Sequence, residues 1–315
     1  MSSNNDRPLA WVTGAGGFLG RHVGLALAKC GYQVVGFVRN PDLNAELTSS
    51  WGYPTVESGP FDRALLQQAL NRAGSPAIVF HAVGSGSVAQ ADADPAGDER
   101  RTLQTTECLL EVLGRNAPGT RLIYPSSAAV YGVTPQGPVS EDAPTKPISF
   151  YGANKLAAEA MCFDFSRGGG AQTTVVRFFS VYGPPQRKLL LWDVAQRLIA
   201  GERTIMLGGT GEETRDFLYV TDAAAIVAML ATTTSPPALF NAGSGQPATV
   251  RKLVETLASV LGVGAEFRFD NHSRPGNPPH QQADIAGLAK FGFAPSVPLE
   301  QGVADYARWL RKLNS

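Results

Sequence analysis

Apolar and polar positions alternate along the first 180 residues in a pattern that predicts parallel βαβ units. Short apolar runs such as Leu9–Thr13 and Gln33–Val38 are predicted strands, and the amphipathic stretch between them, Phe18–Lys29, is a predicted helix. Gly31 is placed to end that helix, because glycine accepts the left-handed conformation that commonly follows one. Strands that alternate with helices in this way predict an α/β fold with a doubly wound, parallel Rossmann-type sheet.

The same alternation continues to about residue 180 and becomes less regular beyond it. Further strands are predicted at 77–80, 121–124 and 173–179, and further helices at 61–73, 98–113, 151–165, 190–200 and 299–313. Two more helices are expected to start at Asp222 and Thr249, both good N-cap residues. We therefore expect a Rossmann domain with the catalytic residues in 1–180. Residues 181–315 are expected to form a smaller, interleaved α/β substrate domain, with some segments that return to the Rossmann sheet.

The composition of the chain limits its partners. Of 315 residues, 43% are hydrophobic and 17% are charged, which is ordinary for a globular protein. The formal net charge is zero, so no global field favours nucleic acid or an anionic membrane as a partner. The polar N-terminus and the lack of a long apolar stretch favour a cytoplasmic protein. The three cysteines are isolated in sequence, and no metal site is predicted.

A glycine-rich segment between the first predicted strand and helix indicates a dinucleotide site. In Thr13–Gly20, Gly14 permits a tight turn, Gly17 lets the backbone approach a pyrophosphate, and Gly20 allows close packing of helix and strand. The helix N-terminus then faces the anionic phosphates. The predicted cofactor contacts in this loop are Gly14, Gly16, Gly17, Phe18, Leu19 and Gly20.

The end of the second predicted strand bears on which nucleotide binds. An acidic side chain there would bind the ribose 2′-hydroxyl of NAD, but the segment that follows Phe37 contains Arg39 and no acid. Arg39 could pair with a 2′-phosphate, so the sequence favours NADP over NAD. A solvated surface arginine is the alternative interpretation.

Three residues are candidates for catalysis. Tyr151 and Lys155 are four apart on a predicted helix and so share one face. The lysine ammonium and the positive end of the helix both favour the phenolate, which would bring Tyr151 closer to useful acid/base chemistry. Ser127 follows the strand at 121–124, at the edge where open α/β sheets bind ligands, and could hydrogen-bond the reacting oxygen.

With these motifs the chain resembles the extended short-chain dehydrogenase/reductases, which include nucleotide-sugar epimerases, dehydratases and reductases. The resemblance covers nearly the whole chain, and its landmarks are Thr13–Gly20, Ser126–Gly132, Tyr151-x-x-x-Lys155, Arg177–Pro184, Arg215–Val220 and Arg274–Asn277. It implies a Rossmann domain of about seven strands and a smaller substrate domain. It also implies a homodimer built through the helices near 98–113 and 151–165.

The resemblance assigns roles residue by residue. Ser127, Tyr151 and Lys155 correspond to the catalytic serine, the acid/base and its partner, and Ala82 and Phe178 to further cofactor contacts. Arg215 and Arg274 correspond to arginines that hold the diphosphate of a sugar nucleotide, for which guanidinium geometry is well suited. The full set of implied substrate contacts is Ser87, Ser126, Ser180, Arg187, Arg215 and Arg274. For Arg187 a solvated surface charge is the favoured alternative.

Several positions depart from the family pattern. The 4,6-dehydratases carry an Asp-Glu pair where this chain has Ala128 and Ala129, so dehydration is not expected. A lysine of many galactose-type epimerases falls at Gly86, and an acidic residue near the adenine falls at Gly59. Asparagines of many relatives fall at Arg101 and Ser180.

The expected activity is an oxidoreductase reaction at C4 of a nucleoside-diphosphate sugar. Because Arg39 favours NADP, the sequence favours a 4-keto-sugar reductase, which needs only one hydride transfer. The alternative is a 4-epimerase, which oxidises and reduces C4 within one cycle. A non-catalytic dinucleotide-binding regulator is the least favoured hypothesis, since it would not need Ser127, Tyr151 and Lys155 together.

Overall fold

Residues 7–272, 276 and 278–314 are described in the computed structural model of the protein. The chain divides into two units that interleave along the sequence. The first unit comprises the described residues through Ser127, together with Phe150–Arg177 and Ala224–Phe240. The second comprises Ala128–Ser149, Phe178–Ala223 and the described residues from Asn241 onward.

A seven-stranded sheet organises the first unit. Numbered along the chain, its strands are β1 (Leu9–Thr13), β2 (Gln33–Val38), β3 (Thr55–Ser58), β4 (Ile78–His81), β5 (Arg121–Ser127), β6 (Thr173–Phe178) and β10 (Leu239–Ala242). Their order is β10-β6-β5-β4-β1-β2-β3, and the pairs from β3 to β5 are parallel. The predicted Rossmann-type parallel sheet is confirmed.

Helices connect the strands of this sheet. They are α1 (Phe18–Lys29), α2 (Asn44–Ser50), α3 (Arg63–Ala73), α4 (Val88–Ala93), α5 (Pro95–Glu99), α6 (Thr105–Asn116), α7 (Phe150–Arg167) and α9 (Val220–Thr232). The single helix predicted at 98–113 is instead α5 and α6, separated by a π-helical turn at Arg100–Gln104. Such single-turn π segments are rare in helices and occur frequently at functional sites.

The core of the first unit lies on the strands, which are apolar on both faces. Trp11, Phe37, Val79 and Tyr124 are all at most 1% exposed and belong to one cluster with side chains of α3, α6 and α7. Near-continuous apolar runs of this kind are expected where helices cover both faces of a parallel sheet. Because these strands are buried, the positions of their carboxyl ends are fixed. The candidate site lies at those ends.

The second unit has small sheets packed with helices. Its remaining elements are β7 (Ser180–Tyr182), α8 (Leu189–Ile199), β8 (Thr204–Leu207), β9 (Thr214–Tyr219), β11 (Pro247–Thr249), α10 (Val250–Leu261), β12 (Glu266–Phe269), α11 (Ala286–Ala289) and α12 (Leu299–Asn314). Strand β9 pairs with β7 in parallel and with β11 antiparallel, and β8 pairs with β12 in parallel. A separate apolar cluster from α8, α10 and α12 stabilises this unit.

The two predicted N-caps have different outcomes. Thr249 caps α10, and its side chain accepts a hydrogen bond from the backbone amide of Lys252, as predicted. The prediction for Asp222 is wrong, because α9 already begins at Val220. The Asp222 carboxylate instead accepts hydrogen bonds from Ser296 and from the backbone amide of Val297. A long-range partner therefore replaces the local one.

Within the part of the chain that is described, no helix is both long enough and apolar enough to span a bilayer.

Candidate active site

The glycine-rich loop has the close backbone approaches that its sequence predicts. Gly14 is in the left-handed conformation with φ +68°, and a Cβ there would lie 2.7 Å from the carbonyl oxygen of Ala82. A Cβ on Gly20 would lie 2.3 Å from the carbonyl oxygen of Gly14. The turn is closed by a hydrogen bond of 2.9 Å from the Gly17 amide to the Gly14 carbonyl. Only glycine fits at positions 14 and 20, as the fingerprint requires.

The start of α1 is open to an anionic ligand. Gly17 is its N-cap and supplies no side-chain cap for the first-turn amides, which include those of Phe18, Leu19 and Gly20. Uncapped amides at a helix N-terminus are a suitable site for phosphate. The loop therefore fits the pyrophosphate of a dinucleotide, and its residues would hold that group.

The loop after β4 lies between the glycine-rich loop and Lys155. The backbone of Ala82 and Val83 lies against Gly14, and the Val83 amide donates to the Thr13 hydroxyl at 3.3 Å. One residue further, a Cβ on Gly84 would lie 3.9 Å from Nζ of Lys155. The glycine-rich loop and Lys155 thus lie against the same short segment.

The three predicted catalytic residues come together in the first unit. Ser127 ends β5, while Tyr151 and Lys155 lie in the first two turns of α7. Ser127 and Tyr151 are hydrogen-bonded through their side chains. Nζ of Lys155 lies 6.0 Å from the centroid of the Tyr151 ring. The arrangement places a hydroxyl, a phenol and an ammonium together at the carboxyl end of the parallel sheet.

The pKa of Tyr151 differs from the expectation. Burial raises it to about 12, the hydrogen bond from Ser127 opposes that rise, and the negative charge of Asp98 adds to it. The predicted shift toward phenolate is therefore not present in the protein alone, because desolvation outweighs the favourable groups. Additional positive charge is needed before Tyr151 can act as a base at neutral pH.

Lys155 is buried and held by the backbone of β5. Its ammonium donates to the carbonyl of Pro125 at 2.9 Å and lies 3.4 Å from the hydroxyl of Tyr124. Burial lowers the pKa of Lys155 to about 8, and the negative charges of Asp98 and Glu159 oppose that decrease. The ammonium form remains predominant at neutral pH and can donate further hydrogen bonds.

A buried ion pair joins α7, which carries Tyr151 and Lys155, to β6. Glu159 on α7 accepts hydrogen bonds from Arg177 on β6 at 2.7 and 3.0 Å, and their side chains are 1% and 6% exposed. The hydroxyl of Ser126, beside Ser127, also donates to Glu159. The Ser126 hydroxyl is thus committed to Glu159, and the network links β5, α7 and β6.

Two other predicted site residues of the first unit lie at the ends of elements. Arg39 follows β2, is exposed, and makes no hydrogen bond or ion pair with the described residues. Ser87 is the N-cap of α4 and accepts a hydrogen bond from the amide of Gln90 at 3.2 Å. Neither arrangement identifies a ligand by itself.

The remaining predicted residues lie in the second unit. Phe178 is buried, Ser180 begins β7, and Arg187 is exposed with its guanidinium 5.8 Å from the ring centroid of Trp309. Arg215 lies on β9, where burial lowers the pKa of its guanidinium. Arg274 lies outside the described residues. These positions belong to the second unit, whereas Ser127, Tyr151 and Lys155 belong to the first.

Sequence reasoning missed two residues near Lys155. Asp98 and Thr102 are buried at 0% and 1% exposure, and the Thr102 hydroxyl lies 3.5 Å from a Cβ placed on Gly84. The π-helical turn brings them to the site, and no pattern in the sequence indicates such a turn. The one signal in the sequence is that Asp98 and Thr102 are polar residues at helical positions that face the core.

Comparison with known proteins identifies the family. Residues 10–243 match the NAD dependent epimerase/dehydratase family. This chain is a member of that family.

The chain is similar to proteins named as sugar-nucleotide 4-epimerases. The chain is 30% identical to UDP-glucuronate 4-epimerase 1 of Arabidopsis thaliana over 95% of its own length and 75% of the relative. It is 32% identical to the UDP-glucose 4-epimerase of Azospirillum brasilense over 97% of its length and 93% of the relative. The family membership identifies the protein as an enzyme and confirms the resemblance seen in its motifs.

A solved structure of a relative shows the same fold. The UDP-glucuronic acid 4-epimerase of Bacillus cereus, in complex with UDP-glucuronic acid and NAD, has a TM-score of 0.85 and 25% identity. The alignment covers 97% of this chain and 99% of that one. The cofactor in that homologous structure is NAD, whereas Arg39 led to an expectation of NADP.

Proposed function

We propose that this family member is an NAD-dependent nucleoside-diphosphate-sugar 4-epimerase. The observation that carries the proposal is the grouping of Ser127, Tyr151 and Lys155 beside the loop that contacts the dinucleotide fingerprint. The relatives named above are 4-epimerases, which favours the epimerase over the reductase that Arg39 suggested. Ala128 and Ala129 lack the acids that dehydration needs.

Each catalytic residue has a separate task in this proposal. NAD, when bound, supplies the hydride acceptor and donor for C4 of the sugar. Tyr151 as phenolate removes the proton of the C4 hydroxyl. It returns that proton after the keto sugar has rotated in the site and presents its other face to the cofactor. Ser127 donates a hydrogen bond to the reacting oxygen. Lys155 as ammonium stabilises the phenolate and holds the nicotinamide ribose.

The proposed cofactor is NAD and not NADP. The homologous structure holds NAD, and Arg39 is exposed with no partner among the described residues that would fix it beside the nucleotide. Arg39→Ala should therefore change the affinity for NAD by less than about threefold, a difference of ~0.6 kcal/mol. Binding titrations with both nucleotides test this, and a strong preference of the unmodified enzyme for NADPH would favour the reductase.

The proposed substrate is a nucleoside diphosphate joined to a hexose or hexuronate. Arg215, Arg187 and Arg274 remain the proposed diphosphate ligands, with Ser87 and Ser180 as proposed contacts to the sugar. Ser126 is not among these contacts, because its buried hydroxyl donates to Glu159. Burial of a guanidinium such as Arg215 costs free energy that a bound phosphate would offset. The named relatives act on UDP-sugars, so uridine is the first base to test.

The deciding experiment follows the substrate and the cofactor together. The enzyme is incubated with UDP-glucose, UDP-galactose and UDP-glucuronate in separate reactions, and the C4 configuration is read by proton NMR. An epimerase interconverts the C4 epimers while absorbance at 340 nm shows no net change. Net consumption of NADPH with a 4-keto sugar, and no epimer from any substrate, would contradict the proposal.

We also propose a homodimer through the helices near 98–113 and 151–165. Ala153, Ala157 and Ala160 are exposed on one side of α7, which leaves a smooth apolar surface suited to helix packing. Ala157→Arg should convert the dimer to a monomer in light scattering. Ala64→Arg, at an exposed position of α3, is the matched control and should leave the dimer intact.

A further inference from the structure

Asp98 is a buried carboxylate for which the proposed catalytic cycle has no task. Its side chain lies on α5 and is 0% exposed. One oxygen, Oδ2, accepts a hydrogen bond of 2.6 Å from the side-chain amide of Asn154. The other, Oδ1, has no partner among the described residues. A buried carboxylate with an unsatisfied oxygen costs several kcal/mol, so its presence calls for a compensating role.

Asn154 connects Asp98 to both catalytic side chains. It precedes Lys155 directly and follows Tyr151 by three positions, in the first two turns of α7. The hydrogen bond therefore ties α5 to the turn from which both side chains emerge. The positive end of α7 and the ammonium of Lys155 supply the charge that makes a buried carboxylate tolerable there.

We propose that Asp98 is a positioning residue for the catalytic pair, which fixes α7 through its hydrogen bond with Asn154 and places a buried negative charge near the Lys155 ammonium. The assignment of Asp98 rests on the proposed function in one respect, because it takes NAD as the ligand that Lys155 holds. In this role Asp98 would not contact the substrate. It would act through its hydrogen bond with Asn154 and through its electrostatic interaction with Lys155.

The charge of Asp98 has the sign that this assignment requires at Lys155. Asp98 raises the pKa of Lys155 and that of Tyr151, which is the expected effect of a nearby anion on both groups. The other titratable groups around the pair are Tyr124 on β5, His81 on β4, and Glu159 and Cys162 on α7. Glu159 is already paired with Arg177, and burial keeps His81 neutral by lowering its pKa to about 3. Asp98 is therefore the acid near Lys155 that lacks an arginine partner in the described structure.

The test measures the affinity for NAD as a function of pH, without turnover. In the unmodified enzyme, affinity should fall as the pH rises through about 8, because Lys155 loses the proton with which it holds the ribose. Asp98→Asn keeps the size and the hydrogen bond to Asn154 but removes the charge. The pKa of Lys155 then drops, and the midpoint of the affinity loss should move about one pH unit lower, the size of shift that a buried charge several ångströms away produces.

Two variants serve as controls. Glu99→Gln removes one negative charge from the adjacent, exposed position of the same helix and should leave the midpoint unchanged. Lys155→Met should abolish the pH dependence in this range. If Asp98→Asn does not fold, Asp98→Ser is the second neutral variant, and it too should lower the midpoint.

The outcomes separate the two proposals. If NAD does not bind the unmodified enzyme at any pH, the proposed function fails. If NAD binds but the midpoint of the neutral Asp98 variant equals that of the unmodified enzyme, the assignment of Asp98 is overturned. An equal shift in Glu99→Gln would also overturn it, because the effect would then be one of net charge alone.

Discussion

Ser127 and Tyr151 are hydrogen-bonded through their side chains, although 23 residues lie between them along the chain. The bond opposes the rise that burial causes in the pKa of Tyr151. It also places both hydroxyls where one reacting oxygen could contact them. Loss of either hydroxyl should therefore affect the chemical step more than it affects cofactor binding.

Tyr151→Phe should lower kcat by about 10²–10⁴-fold while the dissociation constant for NAD changes little. The phenol moves the proton, whereas the glycine-rich loop holds the nucleotide. Steady-state epimer formation and NAD titration measure the two effects separately. Tyr32→Phe is the control, since it removes a hydroxyl that donates to the carbonyl of Ala231 instead. Normal turnover by Tyr151→Phe would refute the mechanism.

Lys155→Met should inactivate the enzyme and yet stabilise it at pH 7. Burial lowers the pKa of Lys155 to about 8, so folding costs free energy wherever the lysine is protonated. The cost is greatest below pH 8 and disappears above the ordinary lysine value, because the unfolded chain binds more protons between the two. Its size is about 3 kcal/mol at about 1.4 kcal/mol per pKa unit. Urea unfolding from pH 7 to 10.5 should show the gain shrinking as the pH rises.

Glu159→Gln should destabilise the protein by about 3–5 kcal/mol, since it leaves the buried Arg177 without a charged partner. Thermal unfolding monitored by circular dichroism provides the measurement. Asp164→Asn is the matched control on the same helix, because Asp164 pairs with Arg167 in an exposed i,i+3 contact. Exposed pairs contribute little, so this control should shift stability by less than about 1 kcal/mol. Equal losses in the two variants would mean that the buried network does not hold β5, α7 and β6 together.

Gly20→Ala should weaken NAD binding at least about tenfold, which corresponds to ~1.4 kcal/mol. The new methyl group would lie 2.3 Å from the Gly14 carbonyl oxygen and must push the start of α1 away from the loop. Isothermal titration calorimetry gives the affinity. Gly119→Ala provides the comparison, because a Cβ there meets no described heavy atom within 4 Å. Unchanged affinity in Gly20→Ala would show that the loop does not set the geometry of the phosphate site.

Much of the first unit could be predicted because its signals are local. The bounds of β1, α1 and β2 agree with the predicted segments, since apolar periodicity and glycine positions encode them directly. Ser127, Tyr151 and Lys155 were also recognisable, because each sits at a fixed distance from a strand end or helix start. The shorter elements of the second unit, such as β8 and β12, were missed because short strands carry weak periodicity.

What could not be predicted depends on long-range contacts. The π-helical turn at Arg100–Gln104 looks like uninterrupted helix in the sequence, so the placement of Asp98 beside Asn154 was not foreseen. The sequence shows that Glu159 follows Lys155 by four residues. It does not show that Glu159 pairs with Arg177, because that contact requires β6 to lie beside α7. The pKa of Tyr151 likewise depends on burial, which no pattern along the chain quantifies.

The strand order has a consequence for how the enzyme is made. Strand β10, which borders β6 at the edge of the seven-stranded sheet, is built from residues 239–242 and so leaves the ribosome after most of the chain. Until then the apolar edge of β6 has no neighbour, and exposed strand edges of this kind favour aggregation. We expect fragments that end near residue 180 to aggregate during synthesis, whereas nascent chains extended past residue 242 can complete the sheet.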